Sequence, residues 1–207
     1  PIKLTITNYP EGQSEELDVE NNPNDPEAGT RKVTFSRDLW IESEDFLEVP
    51  VPKYKRLYPD GPECRLKGAY LITCTGCVKD ADGNVTEVLA TYDPESRGDP
   101  ADGRKVKGAT IHWVDANNCS DAEVRLYSNL FSDPDPDAAD KDYISCLSPD
   151  SLEVLTGCKL EKMLEGAAAP AQFQFLRMGY FCVDSKDSSP EHLVFNRAVA
   201  LKDSFKK

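Results

Sequence analysis

No apolar run in this chain approaches the roughly 20 residues that would carry a helix across a bilayer, and the opening Pro-Ile-Lys-Leu-Thr lacks the apolar centre of a signal peptide. The expectation is a soluble, cytoplasmic protein with no membrane partner. Histidine is scarce: only His112 and His192 occur, and His112, between Ile111 and Trp113, suits a packed strand residue as well as a base. The seven cysteines contain one close pair, Cys74 and Cys77, and no second pair. Zinc needs about four ligands, normally as two such pairs, so reduced, buried thiols are expected and no metal. A catalytic Gly-x-Ser-x-Gly, a phosphate-cradling glycine loop and a His-Glu-x-x-His are all missing. Asp133-Pro-Asp-Pro-Asp137 imitates the opening of a calcium loop but has Ala138 where glycine belongs and Ile144 where glutamate belongs. No catalytic residue and no cofactor is therefore assigned to this chain. Positive charge is also short, with 24 Lys and Arg against 37 Asp and Glu and a net charge of -13. The surface as a whole repels polyanions, so any nucleic-acid contact must be confined to a local basic face.

What the chain does have is alternation. Ile2, Leu4 and Ile6 interleave with Lys3, Thr5 and Thr7, the period of a half-buried strand. Weaker strand signals run over Ser14 to Glu20, Val33 to Phe35 and Leu39 to Ile41, separated by Pro/Asn/Gly loops. A long hairpin is expected from about Arg65 to Val78 and back from Val85 to Tyr92, around Asp82-Gly83-Asn84. Ala109 to Val114 reads as one strand, Val124 to Phe131 is of uncertain type, and Asp93 to Gly103 and Asp133 to Asp142 are loops. Leu152 to Leu155 reads as a strand, and Leu160 to Leu164 suits one or two helical turns. Phe173 to Phe181 and Val194 to Leu201 are strand-like. Many short strands divided by turns argue for a mainly β fold built of barrels or sandwiches.

Against the acidic background stands Lys53 to Lys67. It carries five cations, Lys53, Lys55, Arg56, Arg65 and Lys67, against Asp60 and Glu63, with Tyr54 and Tyr58 among them. Pro59-Asp60-Gly61-Pro62 is a turn signature that would fold the two cationic arms toward each other. Arginine forks suit phosphates and purine edges, and aromatic faces receive unstacked bases. The same composition also suits a solvated hairpin with a charged rim. Gln172 to Arg177 offers a second candidate. Gln174 and Arg177, three apart, would face opposite ways on a regular strand, so the strand must twist, bulge or end between them if both serve one ligand.

Several longer runs, in order, resemble one family. Asn22 to Arg31, Tyr54-Lys-Arg-Leu57, Asp99 to Gly108, Ile111-His-Trp-Val114, Phe173 to Arg177 with Gly179-Tyr-Phe-Cys182, and Val194-Phe-Asn-Arg197 are similar to the C-terminal anticodon-binding region of glutaminyl-tRNA synthetases. The resemblance covers essentially the whole chain. It implies two β-barrels, similar to the barrel of a ribosomal 5S rRNA-binding protein, with short helices. The chain is expected to begin a proximal barrel (1–50 and 166–207) and to make an excursion into a distal one (51–165). Carried over by position, Gln174 and Arg177 match readers of the middle anticodon base, a uracil. Arg56, with Lys55, matches the reader of the third base, a guanine, while Arg65, Lys67 and Lys53 match positions around the first. Lys67 stands where the family often has arginine and Lys53 where it can have glutamine; the Tyr58 to Pro62 turn and Asn117 to Asp121 depart from the pattern. The implied partners are the anticodon stem-loop of tRNA(Gln) and the catalytic domain of the same polypeptide, as a monomer. The family's catalytic half, a class I aminoacyl-tRNA synthetase site that uses ATP and Mg, has no counterpart in these residues, so this chain alone is not expected to aminoacylate. A glutamyl-tRNA synthetase is the near alternative, and a noncatalytic β-barrel protein-interaction module the distant one.

Overall fold

The protein's structure, a computed structural model, describes residues 1–97, 99–138 and 140–201. Gly98 and Ala139, each inside a loop read from sequence, lie outside the described residues. The fold is mainly β, and among the described residues no helix exceeds the five-residue 3-10 turn Lys162–Gly166. None is long and apolar enough to cross a membrane. Two compact units divide the chain, Pro1–Cys119 and Ser120–Lys207.

In the first unit, β1 (Ile2–Ile6), β4 (Asp38–Ile41), β5 (Cys64–Leu66), β6 (Leu71–Lys79), β7 (Val85–Asp93), β8 (Thr110–Ile111) and β9 (Val114–Asp115) form one sheet in the order β8-β5-β6-β7-β1-β4-β9. The alternation of β1 is as the sequence suggests, with Leu4 and Ile6 fully buried. Thr5 is buried as well, and its hydroxyl donates to Asp38 Oδ1 at 3.0 Å. The β6–β7 hairpin turns where expected. The Asp80 carboxylate accepts the backbone N–H groups of Asp82 and Asn84 at 3.0 and 2.8 Å, and Gly83 supplies a φ of +86°.

The run Ala109 to Val114 is not one strand. β8 pairs in parallel with β5, while β9 pairs with β4, at the opposite edge of the sheet. One six-residue segment, 110–115, therefore supplies the strands at both ends of the sheet's order. Trp113 causes the break. Its ring enters the core edge-on to Phe35 at 5.2 Å, and its Nε1 donates to the Lys67 carbonyl at 3.0 Å. The ribbon of β2 (Ser14–Glu20) and β3 (Thr30–Ser36) contributes Leu17 and Phe35 to the same core. Phe35 meets Tyr9, Tyr70 and Trp113, each at 5.2 Å. Such ring pairs add about 0.5–1.5 kcal/mol each beyond their area burial.

The second unit is a five-stranded half-barrel in the order β11-β10-β14-β13-β12, made of β10 (Cys119–Tyr127), β11 (Leu152–Glu161), β12 (Gln172–Phe175), β13 (Gly179–Val183) and β14 (Leu193–Ala200). β11 runs on to Glu161, so the helical turns expected over Leu160 to Leu164 shrink to the 3-10 turn Lys162–Gly166, which buries Leu164. Much of the uncertain run after Val124 is strand β10.

Both sheets draw strands from across the expected segments, 1–50 with 166–207 and 51–165. β1 pairs in parallel with β7, so residues from 1–50 and 51–165 share one sheet. β10 pairs in parallel with β14, so residues from 51–165 and 166–207 share the other. Parallel partners far apart in sequence leave no local signal.

Candidate nucleic-acid interface

Lys53, Lys55, Arg56, Arg65 and Lys67 all lie on the first unit. The chain from Val51 to Tyr58 is irregular and is pinned by the core at Leu57, which is fully buried. Leu57 N–H donates to the Asp45 carbonyl and its own carbonyl accepts from Leu47 N–H, both at 3.0 Å. This docking delivers Arg56 to the 3-10 turn Ser43–Asp45. There Arg56 Nη1 lies 3.1 Å from Asp45 Oδ1 and donates to the Glu44 carbonyl at 3.2 Å. Asp45 is 0% exposed. Sequence reasoning missed it, because a carboxylate within Glu42-Ser-Glu-Asp-Phe46 has no spacing that marks it as buried. Tyr54 Oη donates to the Glu44 carbonyl as well, at 2.9 Å, and its ring lies 6.3 Å from that of Tyr58.

The turn expected at Pro59 to Pro62 is present, closed by Gly61 N–H to the Tyr58 carbonyl at 2.9 Å. The two cationic arms do not pair as a hairpin, however. Residue 109 lies between them: Ala109 N–H donates to the Lys55 carbonyl at 2.7 Å and its carbonyl accepts from Arg65 N–H at 3.0 Å. Lys67 N–H donates to the Ile111 carbonyl at 2.9 Å. The approach is close enough that a Cβ on Gly108 would lie 2.2 Å from the Glu63 carbonyl oxygen and 2.7 Å from Cys64 Sγ, so only glycine fits. Strand β8 and the residues before it thus bring Lys55, Arg65 and Lys67 into one neighbourhood. Cys64 beneath them is buried, and burial pushes its thiol up to about 11, so it stays protonated and inert at neutral pH. Arg65 Nη2 pairs with Asp99 Oδ1 at 2.6 Å, but Asp99 is 88% exposed, so a phosphate or base edge could displace it at little cost.

Gln174 and Arg177 lie on the second unit. Gln174 is exposed on β12, while Phe173 and Phe175 turn inward. The strand ends at Phe175, between the two candidates, which is one of the three ways they could serve one ligand. Arg177 occupies the third position of a turn closed by Met178 N–H to the Phe175 carbonyl at 2.9 Å, with φ +65°. Lys53 occupies the same position of the Val51–Tyr54 turn, with φ +68°. Among the described residues the one other non-glycine at positive φ is Asp60, at +58°. Aspartate tolerates that region, whereas an ordinary L-residue there costs about 1–2 kcal/mol. Two candidate cations thus sit on strained backbone. Among the described residues no cluster of His, Cys, Asp and Glu could hold a metal ion.

Comparison with known proteins agrees over nearly the whole chain. The family pattern described as tRNA synthetases class I (E and Q), anti-codon binding domain, matches residues 1–93 and, in its second part, 110–184. Curated proteins named glutamine–tRNA ligase are similar along 100% of this chain. That of Vibrio vulnificus (strain YJ016) is 54% identical over 208 residues, and that of Clostridium perfringens (strain ATCC 13124) 52% identical over 207. That of Bradyrhizobium diazoefficiens is 49% identical over 208 residues. The chain spans 37% of the length of the first two and 36% of the third. The two-unit β architecture, the matched pattern and these identities converge: the chain belongs to the anticodon-binding domain family of class I tRNA synthetases for glutamate and glutamine, homologous to the C-terminal region of glutamine–tRNA ligases.

Proposed function

We propose that this chain binds the anticodon loop of tRNA(Gln) and reads its bases. Gln174 and Arg177 take the middle base, a uracil; Arg56, oriented by Asp45 and accompanied by Lys55, takes the third, a guanine; Arg65, Lys67 and Lys53 surround the first. The observation that carries this reading is the strained backbone at Lys53 and Arg177. Positive φ at bulky cations persists only where the surroundings impose it, and such outliers cluster at functional sites. Guanine presents O6 and N7 acceptors to an arginine fork, and unstacked loop bases are what proteins read in RNA. The glutamine–tRNA ligase names of the curated relatives support glutamine over glutamate. Aminoacylation, with its ATP and Mg, belongs in this proposal to a catalytic domain of the full-length protein, which is cytoplasmic and monomeric.

The test is binding to a short stem-loop with anticodon CUG, beside one altered at the middle base, at two salt concentrations. Preference for CUG that survives added salt supports base reading. Binding without preference that collapses with salt reduces the site to a phosphate cradle. The net charge of -13 favours a second reading, a β-barrel protein-interaction module, and no binding at either salt would select it.

A further inference from the structure

An antiparallel sheet with one face on its core turns polar side chains to water on the other. Strands β12, β13 and β14 obey this on one side only. Inward, Phe175 stacks on Phe181 with ring centroids 4.3 Å apart, and Phe173 meets Phe195 at 6.2 Å. Outward, the register pairs Gln174 with Tyr180 and Tyr180 with Val199. Directly opposed residues project from the same face, so an amide, a phenol ring and a branched apolar side chain form one row across three strands. Tyr180 is 48% exposed and Val199 58%. No ring contact among the described residues involves Tyr180.

The backbone holds this row in place. Gly179, beside Tyr180, has φ +145°, and a Cβ there would lie 2.4 Å from the Val199 carbonyl oxygen. The β13–β14 register then slips between Tyr180 and Phe181. Bulges of this kind re-aim a side chain and are features of the design rather than defects. Arg177 sits on its strained turn two residues before Gly179. A nucleobase has the matching chemistry, with hydrogen-bonding edges and an apolar face.

We propose that Tyr180 is a stacking platform for the same unpaired RNA base whose edge Gln174 and Arg177 contact, with Val199 widening the apolar floor. This rests on the anticodon-loop reading given above. Stacking is indifferent to base identity because every base has a π-face. Tyr180 would therefore supply affinity, and Gln174 and Arg177 discrimination.

The experiment compares the wild-type chain with Tyr180→Ala, Tyr180→Phe and Gln174→Ala, binding labelled anticodon stem-loops with U, C or A at the middle position. Tyr180→Ala is expected to weaken binding of all three by about 5- to 150-fold, the loss of one base–aromatic stack. Tyr180→Phe should stay within about twofold, since the ring face is kept. Gln174→Ala should bring the three affinities together. A 2-aminopurine at the middle position should be quenched on binding the wild type and not on binding Tyr180→Ala. Wild-type affinity for Tyr180→Ala, with discrimination lost in Gln174→Ala, overturns the platform and leaves the anticodon reading standing. Equal losses in Tyr180→Ala and Tyr180→Phe also overturn it, since the hydroxyl and not the ring would be the contact. If the wild type and Gln174→Ala treat all three loops alike, the anticodon reading falls and the platform with it.

Discussion

Among the described residues, the core of the first unit gathers 20 buried side chains, Phe35 among them, under a seven-stranded sheet. Among the described residues, that of the second gathers seven, Phe181 and Phe195 among them, beneath a five-stranded one. Their candidate readers are mounted in correspondingly different ways. In the first unit Arg56 stands on irregular chain and depends on Leu57 as an apolar anchor and on Asp45 as a charged one. In the second, Gln174 stands on a strand, while Arg177 stands on the turn beyond it, closed by Met178 N–H to the Phe175 carbonyl. The larger core thus holds its irregular reader by side-chain anchors, and the smaller one holds its own by a closed turn.

The most severe way to test that contrast is to delete the same ring from each core. Phe35→Ala and Phe195→Ala both remove a fully buried phenylalanine, a loss of about 3–5 kcal/mol. Domains have only some 5–15 kcal/mol of stability in all. Hydrogen exchange should show the amides of β13 and β14 losing their protection in Phe195→Ala, while those of β1 and β7 remain measurably protected in Phe35→Ala. The opposite ranking would refute the argument from core size.

The charged anchor gives the next effect. Arg56→Ala takes a guanidinium from beside a carboxylate that is 0% exposed, and stability should fall by about 3 kcal/mol, the lower end for a broken buried pair because Arg56 is partly exposed. Adding Asp45→Asn should recover part of that loss. Trp40 and Trp113 both lie in the first unit, so tryptophan emission during denaturation reports the result. A double variant no more stable than Arg56→Ala would show that the Asp45 charge is satisfied without Arg56.

These residues also mark how far the sequence could be read. β1 and the β6–β7 hairpin were legible because alternation and an Asp-Gly-Asn turn are local chemistry. The split of the run Ala109 to Val114 into β8 and β9 was not, since Trp113 turns between them to reach Phe35 and the Lys67 carbonyl. The parallel pairings β1–β7 and β10–β14 were not legible either, since their partners lie far apart in sequence. The need for the strand to end between Gln174 and Arg177 could be stated from a period of two. The positive φ at Arg177 and the burial of Asp45 are products of tertiary packing, and no local pattern announces them.

Titration should reach different groups in the two units. Burial, and then the charge of Glu15, pushes Tyr9 up to about 12; burial pushes Cys64 and Cys74 up to about 11. Folded, these groups keep protons that the unfolded chain gives up at their ordinary values of 10.0 and 9.0. Their contribution is complete below those values and is lost as pH rises through 11 and 12. In the second unit the Asn196 amide, then the backbone N–H groups of Asp187 and Lys186, pull Asp184 down to about 2. That contribution is present above the ordinary 3.8 and is lost as pH falls through about 2. Tryptophan emission should therefore change in alkali before the methyl signals of Val183 and Leu193, and those methyls should change in acid as Asp184 gains its proton. Tryptophan emission that stays flat through pH 12 would show that the first unit draws no stability from these protons.

The smallest effect should be a gain. Lys53→Gly and Arg177→Gly each place glycine where φ is +68° or +65°. Relief of left-handed strain, about 1–2 kcal/mol, exceeds the extra entropy of an unfolded glycine, roughly 0.5–1 kcal/mol. Each variant should then be more stable by up to about 1 kcal/mol, read by denaturant melts of tryptophan emission for Lys53→Gly and of the Val183 methyl for Arg177→Gly. Both should bind the CUG stem-loop less tightly. Arg177→Gly should also lose preference at the middle base, whereas Lys53→Gly should weaken CUG and middle-base controls alike. A stabilised Arg177→Gly with unchanged RNA binding would mean that the strain at this turn serves packing alone, and the backbone argument for the site would then rest on Lys53.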